Sequence, residues 1–321
     1  MSTAVDDADE VVKMNALHGF DLGRPLPIAR YAPQCDCWRP GHFHVMPRMN
    51  RLRIVTWNIL FDECRWQARL DLVLDELARL RPDLIALQEV TPPQLSRILC
   101  RDWVRTHYAT SDADGATVEP HGVLLLSRPA VLDARLVALP SQRERKLLLA
   151  EVETACGPLR CAVVHLESGG DEVQARVRQL EIVTASLPGA MPALILGDLN
   201  FDAETDAEES RLPKDLVDCW RKLRPAEAGK TQDPSANALR AKLIGQSRKH
   251  RRAMRCDRVL LRPGTPGRWR PIDITRIGTA SVNRVADAFG SDHFGLVATL
   301  GCFPREDGRD DAARRFAPAR G

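Results

Sequence analysis

The sequence predicts an α/β fold of two packed sheets flanked by helices. Three observations lead there. Apolar runs of strand length recur from "LRIVTWNI" to "HFGLVATL". Only two segments between those runs show a long helical period. The 321 residues, 44% of them hydrophobic, suffice for one large core or two ordinary ones. With so many strands and so few long helices, sheet must pack on sheet, leaving helices for the outer faces.

Prolines at 25, 27, 33, 40 and 47 interrupt any helix or strand in residues 1–50, which show no sustained period. This stretch is read as an irregular extension whose second half packs on the body. "LRIVTWNI" then opens the body, residues 51–303, as a strand rich in branched and aromatic residues. Trp66, Leu70, Val73, Leu77 and Leu80 recur at spacings of four and three, giving a helix with one buried face that Pro82 ends. "DLIALQEV", "GVLLLS", "VLDARLVAL", "KLLLAEVE" and "LRCAVVHL" follow as strands. Val173, Val177, Leu180 and Val183 mark the second helix, and "PALILGDLN" the next strand. After a looser segment, 201–253, "DRVLLR", "DITRIGT" and "HFGLVATL" close the body. The polar residues 304–321 are read as a disordered tail.

Composition removes several classes. No apolar run reaches the length of a membrane span, and the start lacks a signal peptide's basic-then-apolar order. The chain is read as cytoplasmic, with no membrane partner and no obligate protein partner. Nine scattered cysteines, an odd number, argue against a disulfide framework and for mostly reduced core thiols. Cys35, Cys37, His42 and His44 offer a zinc spacing, but a cramped one, and loop packing by Trp38 and Phe43 is favoured. Net charge is +3, and 39 of the 46 basic residues are arginine. The run "SRKHRRAMRCDR" makes Arg248, Arg251 and Arg252 candidate phosphate contacts, against the plainer reading of a solvated loop.

Polar groups recur where apolar strands end. Asn58 closes "IVTWN", Glu89 closes "LIALQE", His165 closes "CAVVH", and Asp198 and Asn200 close "LILGDLN". Asp292 and His293 open the last strand. One such residue is usually a turn or helix cap. Five strands agreeing point to a shared cleft. Asn58, Glu89 and Asp292 supply hard oxygen donors suited to Mg²⁺ or Mn²⁺ and not to zinc. His165 and His293 can donate to phosphate oxygens, with Asp198 as general base and Asn200 placing the water. These are the parts of metal-assisted phosphodiester hydrolysis. Trp57 is read as core, His107 and His121 as structural. Ser168 is either a helix cap or a phosphate contact.

In their order, "TWN", "QEV", "HLES", "GDLN" and "SDHFGL" resemble the endonuclease/exonuclease/phosphatase superfamily, the group that contains DNase I and exonuclease III, over about residues 51–302. The resemblance implies a four-layer α/β/β/α sandwich with a divalent metal at the strand ends. Within that group the chain is most similar to the tyrosyl-DNA phosphodiesterase 2 branch, through "LQEVTPPQL", "HLES" with Arg176 and the "QL" at 179–180, "DLVDCWRKLRP" and "CDRVLLR". The branch implies Asn58 and Glu89 at the metal, His165 and Ser168 on phosphate, and Asp198 and Asn200 on water. It further implies Asp292 as support and His293 as transition-state stabiliser. Two positions depart from it. Asp202 stands where the branch has Arg, and Gln232 where it has Trp, so the tyrosyl–DNA substrate is left open.

The expected function is metal-dependent hydrolysis of phosphodiester bonds at nucleic-acid ends, DNA or RNA. The alternatives are an RNA-end or small-molecule phosphodiesterase or phosphatase of the same fold, and a catalytically silent nucleic-acid-binding protein. Hydrolysis is favoured because every position a silent version could lose is filled.

Overall fold

The structure, a computed structural model, describes residues 24–26 and 51–303 except 188, 190, 205, 246–251, 265–268 and 281–288. Its strands are β1 (Arg24–Pro25), β2 (Arg51–Asn58), β3 (Leu84–Val90), β4 (Ala109–Thr110), β5 (Gly122–Ser127), β6 (Val131–Ala138) and β7 (Lys146–Val152). They continue as β8 (Leu159–His165), β9 (Ala193–Asp198), β10 (Val217–Asp218), β11 (Asp257–Arg262), β12 (Trp269–Ile277) and β13 (Gly295–Cys302). One sheet has the order β1-β6-β7-β8-β9-β11-β10 and the other β12-β13-β2-β3-β5-β4. In each a central parallel pair, β8 with β9 or β2 with β3, is flanked by antiparallel strands.

Strand alternation makes the layers. Along β2, Ile54 faces the other sheet, meeting Leu148, Val163, Leu196 and Val259 in the central core. Its neighbours Val55 and Trp57 face outward, onto Leu70, Val73, Leu74 and Leu77 of α1 (Trp66–Leu80). On the other sheet Ala162, Val164 and Ile195 pack outward against Leu180 and Val183 of α4 (Val173–Ala185). The four-layer sandwich is therefore present. Both long helices match the expected periods.

Four shorter helices among the described residues had no long period to announce them: α2 (Pro92–Leu99), α3 (Asp102–His107), α5 (Cys219–Leu223) and α6 (Ala238–Ile244). The first has a local signature nonetheless. Thr91 and Gln94 form a reciprocal capping box with proline in the first turn.

Three expectations need amending. The extension is not wholly irregular: Arg24 and Pro25 pair with Leu136 and Arg135, adding an edge strand from its first half. An edge tolerates the missing proline N–H. Cys156 and Cys302 pair as a disulfide, Cα atoms 6.3 Å apart, whereas Cys161, Cys219 and Cys256 are buried free thiols. Asp292 and His293 precede β13 in a loop rather than opening the strand. Residues 304–321 and the Cys35, Cys37, His42 and His44 group lie outside the described residues. No helix among the described residues is long and apolar enough to cross a membrane.

Gly197, in the register Val164↔Gly197, has φ 139°, and an added Cβ would lie 1.9 Å from the Val164 carbonyl oxygen. Gly197→Ala is expected to destabilise by about 3 kcal/mol or more, seen as a large fall in Tm or loss of soluble protein. An unchanged Tm would contradict this register.

Candidate active site

Each parallel pair sends two strand C-termini to one edge, and their antiparallel neighbours begin there. Counting by twos from the inward-facing core residues puts Asn58, His165, Asp198 and Asp257 on inner faces, between the sheets. Glu89 breaks this parity. A bulge between Gln88 and Val90 and a left-handed φ of 62° at Glu89 turn its side chain into the site, while Gln88 stays inward and donates to Thr56 Oγ1 at 3.2 Å. Backbone strain of that kind clusters at functional sites.

Asn58 joins the halves. Its Nδ2 donates to Glu89 Oε1 at 2.9 Å and to Asp198 Oδ2 at 3.2 Å, and its Oδ1 accepts the Leu60 N–H at 3.1 Å. Asn58, expected at the metal, bridges two carboxylates through its amide, and the second lone pair of its carbonyl oxygen stays open to a cation. Glu89 Oε2 accepts the Phe61 N–H at 3.0 Å. Burial, then the nearby Asp292 charge, holds the Glu89 carboxyl above its ordinary range.

Asp198 is buried, with Oδ1 accepting the Asn200 N–H at 2.8 Å. Burial, with the Asp257 charge opposite it, raises its pKa. Asn200 donates Nδ2 to Leu166 O at 2.9 Å, which leaves its side-chain oxygen to orient a water.

The two histidines are pushed in opposite directions by their surroundings. Arg145 Nη1 meets His165 Nδ1 at 2.7 Å, and a guanidinium can only donate, so the ring proton sits on Nε2. Burial, then Arg145, pushes His165 well below the usual imidazole value. Its Nε2 lies 3.5 Å from Asp198 Oδ2 and 3.8 Å from Glu89 Oε1. His293 donates Nδ1–H to Asp257 Oδ2 at 2.8 Å, and Trp57 Nε1 fixes its backbone by donating to the His293 carbonyl at 3.0 Å. Burial opposes charge on this ring, but Asp257 and Asp292 outweigh it and raise His293 well above 6.5. Gln232 Nε2 faces His293 Nε2, its oxygen being held by Arg240 Nη2 at 3.1 Å. Full protonation of His293 therefore requires the Gln232 amide to turn away.

These residues occupy the span matched by the Endonuclease/Exonuclease/phosphatase family profile, residues 55–293. The chain belongs to that family. Tyrosyl-DNA phosphodiesterase 2 of Gallus gallus is 30% identical over 260 residues, 76% of this chain and 65% of that protein. The Xenopus tropicalis protein of the same name is 30% identical over 251 residues, covering 76% of this chain and 64% of its own length. The chain thus matches just under two thirds of these relatives. The crystal structure of D. rerio TDP2 complexed with single strand DNA product superimposes with a TM-score of 0.65 at 25% identity, over 78% of this chain and 99% of that one.

Within the family frame, several expected contacts change. Asp292 pairs with Arg240, whose Nη1 is 2.9 Å from Oδ2. Ser168 caps no helix, since α4 starts at Val173; its Oγ lies 3.3 Å from Arg145 Nη2. Arg252 pairs with Asp206 at 2.8 Å, its side chain half exposed. Arg248 and Arg251 lie outside the described residues. Asp202 turns inward, accepting from Lys230 Nζ at 3.1 Å and the Arg255 N–H at 3.2 Å. His121 has a partner after all, the exposed Phe61 ring stacked at 4.6 Å and 11°.

Sequence reasoning missed Arg145, Arg240 and Asp257. Asp257 had a usable signal, a carboxylate opening the apolar run "DRVLL" as Asp292 precedes "FGLVATL". Arg145 and Arg240 had none, because they lie on other elements than the groups they serve.

The stability contributed by the His293 proton is fully present below the unfolded imidazole value and is lost as pH rises through the raised folded value. Asp257→Asn is expected to lower the His293 pKa and move that loss toward acid. Imidazole ¹⁵N titration by NMR reads it directly. An unmoved titration would remove Asp257 as the cause.

Proposed function

We propose that this chain is a divalent-metal-dependent phosphodiesterase that hydrolyses phosphodiester bonds at nucleic-acid ends, with 5′-tyrosyl DNA the first substrate to test. The observation that carries this reading is the seating of Asp198, a buried carboxylate of raised pKa, between the Asn58 bridge and the imidazoles of His165 and His293. A carboxylate so placed keeps the basicity needed to take a proton from water.

In this mechanism Asn200 orients the attacking water and Asp198 accepts its proton. His165 donates Nε2–H to a non-bridging phosphate oxygen. His293, charged once Gln232 turns aside, donates as negative charge builds in the transition state. Asp257 holds that charge and Trp57 holds the loop. The donor chemistry fits a hard divalent ion, because Glu89 and Asp292 are neighbouring carboxylates whose mutual repulsion a cation relieves. Glu89 and Asp292, with Asn58 adjoining, are the residues to hold it, Mg²⁺ ahead of Mn²⁺. When bound, such an ion polarises a phosphate oxygen as a Lewis acid.

Two features support a nucleic-acid substrate. The D. rerio relative was solved with a single-strand DNA product. In this chain Phe61 is 49% exposed, its N–H bound to Glu89 and its ring stacked on His121, an aromatic platform at the rim of the site. A silent binding protein is disfavoured, since buried carboxylates and a charged buried imidazole destabilise a chain that makes no use of them.

A panel of 5′-tyrosyl DNA, 5′-tyrosyl RNA, abasic duplex, single-stranded RNA and bis-p-nitrophenyl phosphate, each with Mg²⁺, tests the reading. Glu89→Gln and excess EDTA are each expected to abolish turnover, and full turnover under either condition would overturn the metal mechanism. His293→Ala is expected to lower kcat by about 10²–10³; unaltered kcat would end its assignment. Phe61→Ala is expected to raise KM on single-stranded DNA by the equivalent of about 1–3 kcal/mol with kcat kept, and an unchanged KM would remove the platform.

A further inference from the structure

The proposed reaction gives Cys256 no part, yet this residue sits beneath the catalytic groups. It immediately precedes β11, is fully buried, and its Sγ lies 3.5 Å from Asp257 Oδ2 and 3.6 Å from Thr231 Oγ1. Its sulfur, one imidazole nitrogen of His293 and one carboxylate oxygen of Asp198 all lie within 4.8 Å of one another. Beside them Asp257 has a buried Oδ1 with no hydrogen-bond partner among the described residues.

We infer that Asp198, Cys256 and His293 form a second metal site, selective for Zn²⁺ over Mg²⁺, whose occupation switches the enzyme off. The donor sets separate the two ions. Glu89 and Asp292 offer only hard oxygens, whereas sulfur, nitrogen and oxygen together form a borderline-soft set that suits Zn²⁺ and not Mg²⁺. Closing the three atoms onto a tetrahedral ion needs movement on the order of 1 Å. Asp257 is not part of that converging group of three, so the fourth position falls to a water. Binding exchanges the Cys256 S–H bond for an S–Zn bond and releases the proton to solvent.

Occupation removes two functions together. The Asp198 oxygen that takes the proton from water becomes a ligand, and so does a nitrogen of His293, which must leave either Asp257 or Gln232. Solvent enters by the route the substrate uses, past Glu89 and Asn200, both partly exposed. The inhibitory consequence rests on the phosphodiesterase reading above; the binding itself does not.

The experiment has two arms on the full chain. In the first, Co²⁺ is titrated into the protein and the sulfur-to-metal charge-transfer absorption is recorded. The wild type is expected to show a saturable band that Zn²⁺ displaces, and Cys256→Ser to lose it. Because Cys64 and Cys100 are exposed thiols, the difference between wild type and variant is the signal. In the second arm Zn²⁺ is added against excess Mg²⁺ during diester turnover. Cys256→Ser and Cys256→Ala are expected to weaken Zn²⁺ inhibition by about 10-fold or more, with Mg²⁺-driven turnover unchanged and Tm confirming the fold. A Co²⁺ band of equal intensity in wild type and Cys256→Ser, or one that never forms in the wild type, overturns the site, as does equal Zn²⁺ inhibition of all three proteins. A band that depends on Cys256 in a chain without turnover on any substrate supports the site and overturns the phosphodiesterase reading instead.

Discussion

The amide of Asn58 is the interaction on which the site depends. Its two N–H groups reach Glu89 on its own sheet and Asp198 on the facing one. Without that bridge, two buried carboxylates would face each other across the gap between the sheets. An amide is suited to the place because it donates twice and carries no charge of its own. A lysine would meet the same carboxylates but would itself need desolvating.

The charge pattern around the bridge is graded rather than balanced pair by pair. Arg145 keeps His165 neutral by taking its Nδ1, while Asp257 and Asp292 favour the charged form of His293. Two buried imidazoles within reach of one carboxylate are thus biased in opposite directions by their outer partners. Gln232 adds a further control, since its amide faces the His293 nitrogen that phosphate would use.

Packing supports this arrangement from behind. Trp57 lies in the outer core on α1 and still reaches the His293 carbonyl, so the helix-facing layer and the catalytic loop are one mechanical unit. Gly295 permits this contact, since a Cβ there would lie 2.7 Å from the Trp57 ring. On the opposite sheet, Arg255 and Arg258 are buried and paired with Glu204, Glu209 and Asp218. Those pairs hold the start of β11, and hence Asp257, in place. These two arginines, at the end of the basic run, are internal struts.

The sequence by itself determined the strands, the two long helices and the inward placement of Asn58, His165 and Asp198. Period-two alternation is local, so once the apolar positions are placed the face of the next polar residue follows. It determined the family for the same reason, through short motifs that each close one strand. Only the tertiary structure decided the rest. The bulge that turns Glu89 inward arises from pairing with β5, and the bridge from Asn58 to Asp198 arises from sheet stacking. Arg145 for His165, Asp257 for His293 and Arg240 for Asp292 are partners chosen by packing. The physical reason is the range of the forces involved. Backbone alternation propagates from one residue to the next, whereas a buried charge takes whichever partner the packed layers bring within hydrogen-bonding distance, and separation along the chain does not enter.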